Sequence, residues 1–314
     1  PQMAFNPGRP DLPDGGYSDR MKYRMIKVTI HEVGHNYFPM IINSDERQWT
    51  WMDEGLNSYL EMLAELDYDK DFPMRRGLPK NIVDYMNGDQ SQIAPIMSKG
   101  DNLYSFGNNA YGKPATALWI LRETIMGKEL FDHAFKTYAQ RWMFKHPTPA
   151  DFFRTMEDAS GVDLDWFWRG WFYTTDVTDI GIKNVKKFYA EYSEQEKVKF
   201  IEDSTEGLLF KEESATKANK KFFYEITFDK PGGLVMPIIV EFTYKDGTKS
   251  RKTYPAQIWR YNDTEITKVI NSNKEISNIT IDPDLETADV DTSNNNWPKK
   301  KDSKFSKFKN KIKG

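Results

Sequence analysis

From Ser18 onward, apolar residues recur at Met21, Met25 and Val28, the spacing of one helix face, and lead into HEVGHNYFPM at residues 31–40. Ser18 or Asp19 can cap this helix, and Pro39 forbids much continuation beyond it. MDEGLNSYLEMLAEL at 52–66 and NNAYGKPATALWILRETIM at 108–126 are periodic enough for two more helices. Pro114 sits near the start of the second, where a missing N–H is tolerated. KELFDHAFKTYAQRW, TPADFFRTMEDAS and DLDWFWRGWF carry the helical pattern to about residue 173, with Thr148 and Asp163 as candidate caps. Trp166, Trp168 and Trp171 share that spacing and are expected in the core.

After about residue 180 the period changes. A charged passage from Glu191 to Lys221 leads into FYEITFD, PIIVEFTYKDGTKSRKTYP and ISNITIDPD, where apolar and polar residues alternate. Asp246-Gly247 is a hairpin signal. The pattern predicts an α+β chain: a mainly helical part over 1–180, a small antiparallel β-sandwich over 181–290 and a tail over 291–314. Residues 299–314 of that tail, KKKDSKFSKFKNKIKG, carry eight lysines against one aspartate and read as a solvated, disordered terminus. Phe305, Phe308 and Ile312 at helical spacing leave contact with anionic lipid as the alternative. The same lysines would suit nucleic acid, but no nucleic-acid partner is expected.

Composition narrows the chemistry. No apolar run approaches the roughly 20 residues that span a bilayer as a helix, and mean hydropathy is −0.72. The 314 residues include no cysteine, so any metal must be held by histidine and carboxylate. The opening PQMAFNPGRPDLPDGG has neither an initiator methionine nor the regions of a signal peptide, and reads as the interior of a longer protein. Compartment is open.

Two of only four histidines, His31 and His35, stand four apart with Glu32 between them. On a helix this spacing puts both imidazoles on one face, about 5–6 Å apart at Cβ, within reach of one zinc ion. Glu32 lies at the edge of that face, placed to take a proton from water rather than to bind metal. A catalytic zinc takes a third protein ligand, and Glu54 in WTWMDEGLNSYLE is the candidate. His133 and His146 lie outside this pattern. Trp49 and Trp51 either pack beneath the site or line a substrate pocket.

HEVGH, then eighteen residues, then the glutamate of DEGLNSY resembles the signature of the aminopeptidase N family of zinc metallopeptidases (gluzincins), which also contains leukotriene hydrolase. The resemblance implies a zincin-type catalytic domain with His31, His35 and Glu54 as ligands to one zinc and Glu32 as general base. It implies that Tyr111, in NAYGKPATAL, stabilises the oxyanion, with Pro114 where the family often has glycine and Tyr104 as the rival donor. Glu61 resembles a family position that supports a zinc histidine.

The family reads the substrate's free amine with a G-x-M-E-N glutamate, which this sequence lacks. PQMAFN is similar to the stretch that follows a G-M-E-Y variant of it. The resemblance therefore implies the C-terminal part of a shorter bacterial-type member, with the N-terminal part as its partner. The expected activity is zinc-dependent removal of N-terminal residues from peptide substrates, carried out poorly by this chain alone. A zinc endopeptidase and a non-catalytic, zinc-stabilised interaction module are the alternatives.

Overall fold

The computed structural model describes residues 6, 8–192, 199–202 and 219–299. The chain divides into two compact units, the first reaching Val177 and adding Leu285–Val290, the second running from Thr178 to Asp284 and resuming at Asp291.

Helices build the first unit: α1 Asp19–Gly34, α2 Leu56–Tyr68, α3 Pro79–Met86, α4 Lys113–Ile120, α5 Lys128–Trp142, α6 Pro149–Ser160 and α7 Asp165–Tyr173. Ser18 caps α1, its hydroxyl accepting from the Met21 N–H. Thr148 and Asp151 form a reciprocal capping box on α6. Asp163 supports the start of α7, its carboxylate accepting from the Asp165 N–H at 3.3 Å. Helix α3 is the element that the sequence pattern did not supply.

The core of this unit is aromatic. Trp51 stacks on Phe153 at 5.8 Å between centroids and meets Phe172 edge-on at 4.8 Å, and it is 1% exposed. Of the two readings for Trp51, packing beneath the site is the one observed. Trp168 and Trp171 are buried as expected, whereas Trp166 is half-buried. Helix α1 contrasts with the rest, having no buried residue. Among the described residues, no helix is long and apolar enough to cross a membrane.

The second unit holds two four-stranded antiparallel sheets. One has the order β2-β1-β3-β6, built from β1 Gly181–Tyr192, β2 Lys199–Glu202, β3 Asn219–Asp229 and β6 Glu265–Ser272. The other has the order β5-β4-β7-β8, built from β4 Ile238–Tyr244, β5 Lys249–Tyr254, β7 Ile276–Ile281 and β8 Asn296–Trp297. The Asp246-Gly247 signal does turn the β4–β5 hairpin: Gly247 has φ of 82° and the Asp246 carboxylate accepts from the Thr248 N–H. The Ile276 N–H donates to the Tyr224 hydroxyl at 2.7 Å, joining β7 of one sheet to β3 of the other.

The domain limits differ from expectation at their end. Leu285–Val290 sides with the helical unit, and residues 291–297 of the expected tail are folded. Thr292–Asn294 forms a tight helical turn, and β8 pairs with β7 at Ile279↔Trp297 and Thr280↔Asn296. The lysine-rich stretch 300–314 lies outside the described residues.

Candidate metal centre

Two helices converge to make the site. Helix α1 presents His31 and His35 one turn apart, and Glu54 comes from a wide π-helical turn, Trp51–Gly55, that leads into α2. A second π turn, Gly107–Gly112, carries Tyr111 into α4. Such turns insert a residue into the helical repeat and re-aim the side chains they carry. Small residues allow the approach. A Cβ on Gly34 would meet the Asn57 side-chain oxygen at 2.0 Å, and one on Gly55 would meet Pro114 Cγ at 2.6 Å. Asn57 also donates its amide to the His31 carbonyl at 2.8 Å, tying α1 to α2 directly behind the histidine. Pro114 is thus a packing partner of the glycine next to Glu54.

Three ligand atoms meet at one point. His31 Nε2 lies 3.0 Å from His35 Nε2 and 3.1 Å from Glu54 Oε2, and His35 Nε2 lies 3.3 Å from the same oxygen. Ligands about 2.0–2.1 Å from a tetrahedral zinc stand about 3.3 Å from one another, so this triangle fits one face of such a site. Among the described residues it is the one group of histidine and carboxylate side chains arranged to hold a metal ion.

The hydrogen bonds behind the triangle fix the tautomers. His31 Nδ1 faces the Glu61 carboxylate at 2.7 Å and His35 Nδ1 faces the Phe38 carbonyl at 2.9 Å. Both contacts require Nδ1 to donate, so each ring would turn an Nε2 lone pair toward the shared point once a metal ion takes the place of its second proton. His35 Nδ1 is also 3.0 Å from Asp53 Oδ1, a buried oxygen that receives no well-aligned hydrogen bond. The imidazole hydrogen belongs to Phe38.

Charge around the site favours a cation at its centre. Burial alone would lower the pKa of His31, but hydrogen bonds with Glu54 and Glu61 carry it up to about 9. His35 rises to about 10 against the same burial, through Asp53 and Glu54. Glu54, although buried, is drawn down to about 2 by both imidazoles and Tyr111. The Tyr111 hydroxyl donates to Glu54 Oε1 at 2.5 Å, and burial together with that carboxylate pushes its pKa upward, so it remains a phenol at neutral pH. Glu32 is half-buried and, among the described residues, has no hydrogen bond or ion pair.

The structure therefore brings together His31, His35, Glu54, Glu61 and Tyr111. It leaves Tyr104 apart, 83% exposed, while His133 and His146 are also exposed. Sequence reasoning missed Lys27, whose ammonium pairs with Glu61 and, at 3.1 Å, with the fully buried Glu65. The signal was present: Lys27 precedes His31 by four residues, and Glu65 follows Glu61 by four, each on the same helix face. It missed Arg76 too, whose guanidinium lies 4.7 Å from the centre of the Tyr111 ring.

The Peptidase family M1 domain matches residues 12–171. The chain is 24% identical over 176 residues to glutamyl aminopeptidase of Sus scrofa, covering 52% of this chain and 19% of that protein. It is 26% identical over 163 residues to leucine aminopeptidase 2 of Emericella nidulans, covering 47% of this chain and 26% of the relative. A crystal structure of Legionella pneumophila aminopeptidase A in complex with aspartic acid shares the fold over 90% of this chain and 28% of its own, with a TM-score of 0.56 at 14% identity. The chain thus spans about a quarter or less of the length of these relatives.

Proposed function

This chain belongs to peptidase family M1, and from that membership we propose that it carries the zinc-binding part of an aminopeptidase active site, which removes N-terminal residues from peptide substrates. One observation carries the reading. His31 Nε2, His35 Nε2 and Glu54 Oε2 stand 3.0–3.3 Å apart, with the Tyr111 phenol held on the other oxygen of Glu54. The relatives' names, glutamyl aminopeptidase and leucine aminopeptidase, support cleavage at an amino terminus.

His31, His35 and Glu54 would hold one zinc ion. When bound, zinc supplies a Lewis acid that polarises the scissile carbonyl and makes water easier to deprotonate. Glu32 moves the proton: its carboxylate takes one from the attacking water and returns it to the amide nitrogen as the C–N bond breaks. Its carboxylate has no competing partner among the described residues, so its lone pairs are available for this work. Tyr111 donates a hydrogen bond to the carbonyl oxygen as negative charge develops there. Glu61, held by Lys27, orients His31.

The test follows release of p-nitroaniline from aminoacyl-p-nitroanilides, together with zinc content, for this chain and for the longer protein that contains it. Turnover is expected to be slow for the chain alone. In the longer protein Glu32→Gln should lower kcat by about 10²–10⁴-fold while zinc is retained. An unchanged kcat would remove Glu32 from the role given to it. Cleavage of peptides with a blocked amino terminus would instead point to an endopeptidase.

A further inference from the structure

Two side chains that flank Tyr111 are buried and bonded away from the metal centre. Asn109, two residues before it, donates its amide to the Ala94 carbonyl at 2.6 Å and the Pro95 carbonyl at 3.2 Å. Lys113, two residues after it, reaches the Thr174 carbonyl at 3.3 Å, just past the end of α7. The Met97 N–H donates to the Phe172 carbonyl at 3.1 Å, which ties the loop held by Asn109 to the helix end held by Lys113. The turn also meets the one that carries Glu54, since a Cβ on Gly55 would stand 3.1 Å from the Ala110 carbonyl oxygen. The π turn Gly107–Gly112 is therefore fastened near both ends, with Tyr111 between the fastenings.

A buried ammonium is an expensive way to fill this space. Burial lowers the pKa of Lys113, and among the described residues no carboxylate pairs with it directly, Asp176 acting from a distance. Methionine has a similar reach and would pack there without burying a charge. What lysine adds is a donor at the end of four methylenes, and this donor is given to the end of another helix. Such a tether matters for a phenol that must meet developing charge, because misplacing a reacting group by about 1 Å can cost about 10²-fold in rate.

We propose that Lys113 is a positioning residue for Tyr111: its tether to Thr174 fixes the π turn and, through it, the direction of the phenol. The role of Tyr111 as hydrogen-bond donor rests on the peptidase reading above, whereas the tether rests on the buried contacts that flank the turn.

Lys113→Met tests this in two settings. In the longer protein, kcat for aminoacyl-p-nitroanilides should fall about tenfold or more, with KM and zinc content little changed. In a Tyr111→Phe background the same substitution should cost less than about twofold, because the direction of a missing phenol is immaterial. In the chain alone, ¹³C-tyrosine labelling gives a Tyr111 ring resonance, identified by its loss in Tyr111→Phe. That resonance should move in Lys113→Met and stay in place in Lys136→Met, which alters an exposed lysine on α5. The thermal midpoint of the Lys113→Met chain at pH 7 should hold or rise, since an apolar side chain replaces a buried charge. A lysine that merely caps α7 would instead give a lower midpoint and an equal factor in kcat with or without the phenol. That result, or a Tyr111 resonance indifferent to Lys113→Met, would overturn the proposal. A moved resonance in a longer protein without aminopeptidase activity sinks the peptidase reading alone, and activity whose loss is equal in both backgrounds sinks the tether alone.

Discussion

At the residue scale, the site surrounds two imidazoles with three carboxylates, Asp53, Glu54 and Glu61, and gives each ring one fixed donor role. The pairing of His31 with His35 was legible in the sequence, because fixed spacing on a helix dictates a shared face, whereas Glu54, outside that helix, was singled out by the need for a third ligand and by the resemblance of DEGLNSY to the family signature. The sequence could not make the roles of Asp53 or Lys27 legible, since these depend on how a second helix is turned. Glu61→Gln should weaken zinc binding by about 10–100-fold through loss of the charged partner of His31, measured by competition with a chelator. Lys27→Met would leave Glu61 and Glu65, two buried carboxylates one turn apart, without their shared cation. Glu65 is already pushed up to about 7, mainly by burial. The variant should lose about 1–3 kcal/mol of stability at pH 8, measured by urea unfolding, and unchanged stability would show that the pair is compensated from elsewhere.

At the element scale, close approach of helices positions the ligands, and glycine permits it. Gly34→Ala would drive a methyl into the Asn57 amide, which is 1% exposed and bonded to the His31 carbonyl. The expected cost is about 1–3 kcal/mol, read as a lower midpoint in thermal unfolding. A second element-level feature is Lys113, at the start of α4, which is 1% exposed and donates to the Thr174 carbonyl at 3.3 Å. Burial, opposed only by Asp176, lowers its pKa to about 8, from 10.5. Between these values the unfolded chain binds more protons than the folded one, so stability should rise as pH increases from 8 to 10.5, by about 3 kcal/mol. Lys113→Met should remove that rise, and matching pH profiles of the two proteins would contradict the assignment. The sequence shows a lysine two residues after Tyr111, but only packing reveals that it is buried.

At the scale of the whole molecule, the division into a helical and a β-rich unit was legible because the hydrophobic period changes near residue 180. The β4–β5 hairpin was legible too, since Asp-Gly marks its turn. Strand β1 was harder to read: lysines at 183, 186 and 187 dilute its apolar alternation, and its place comes from a ladder with β3, some forty residues away. Strand β8 is two residues long and exists through backbone pairing with β7, which leaves no side-chain period to detect. The short α3, PKNIVDYM, is only eight residues long and was likewise missed.

These scales meet in one claim, that α1 and the turn before α2 are held together so that His31, His35 and Glu54 bind a single zinc ion. Zinc bound per chain, measured by elemental analysis after equilibration with a competing chelator, tests it most directly. The account predicts one zinc per chain and a marked loss of it in Glu54→Gln, whereas no zinc in the unaltered chain, or occupancy indifferent to Glu54, would contradict it.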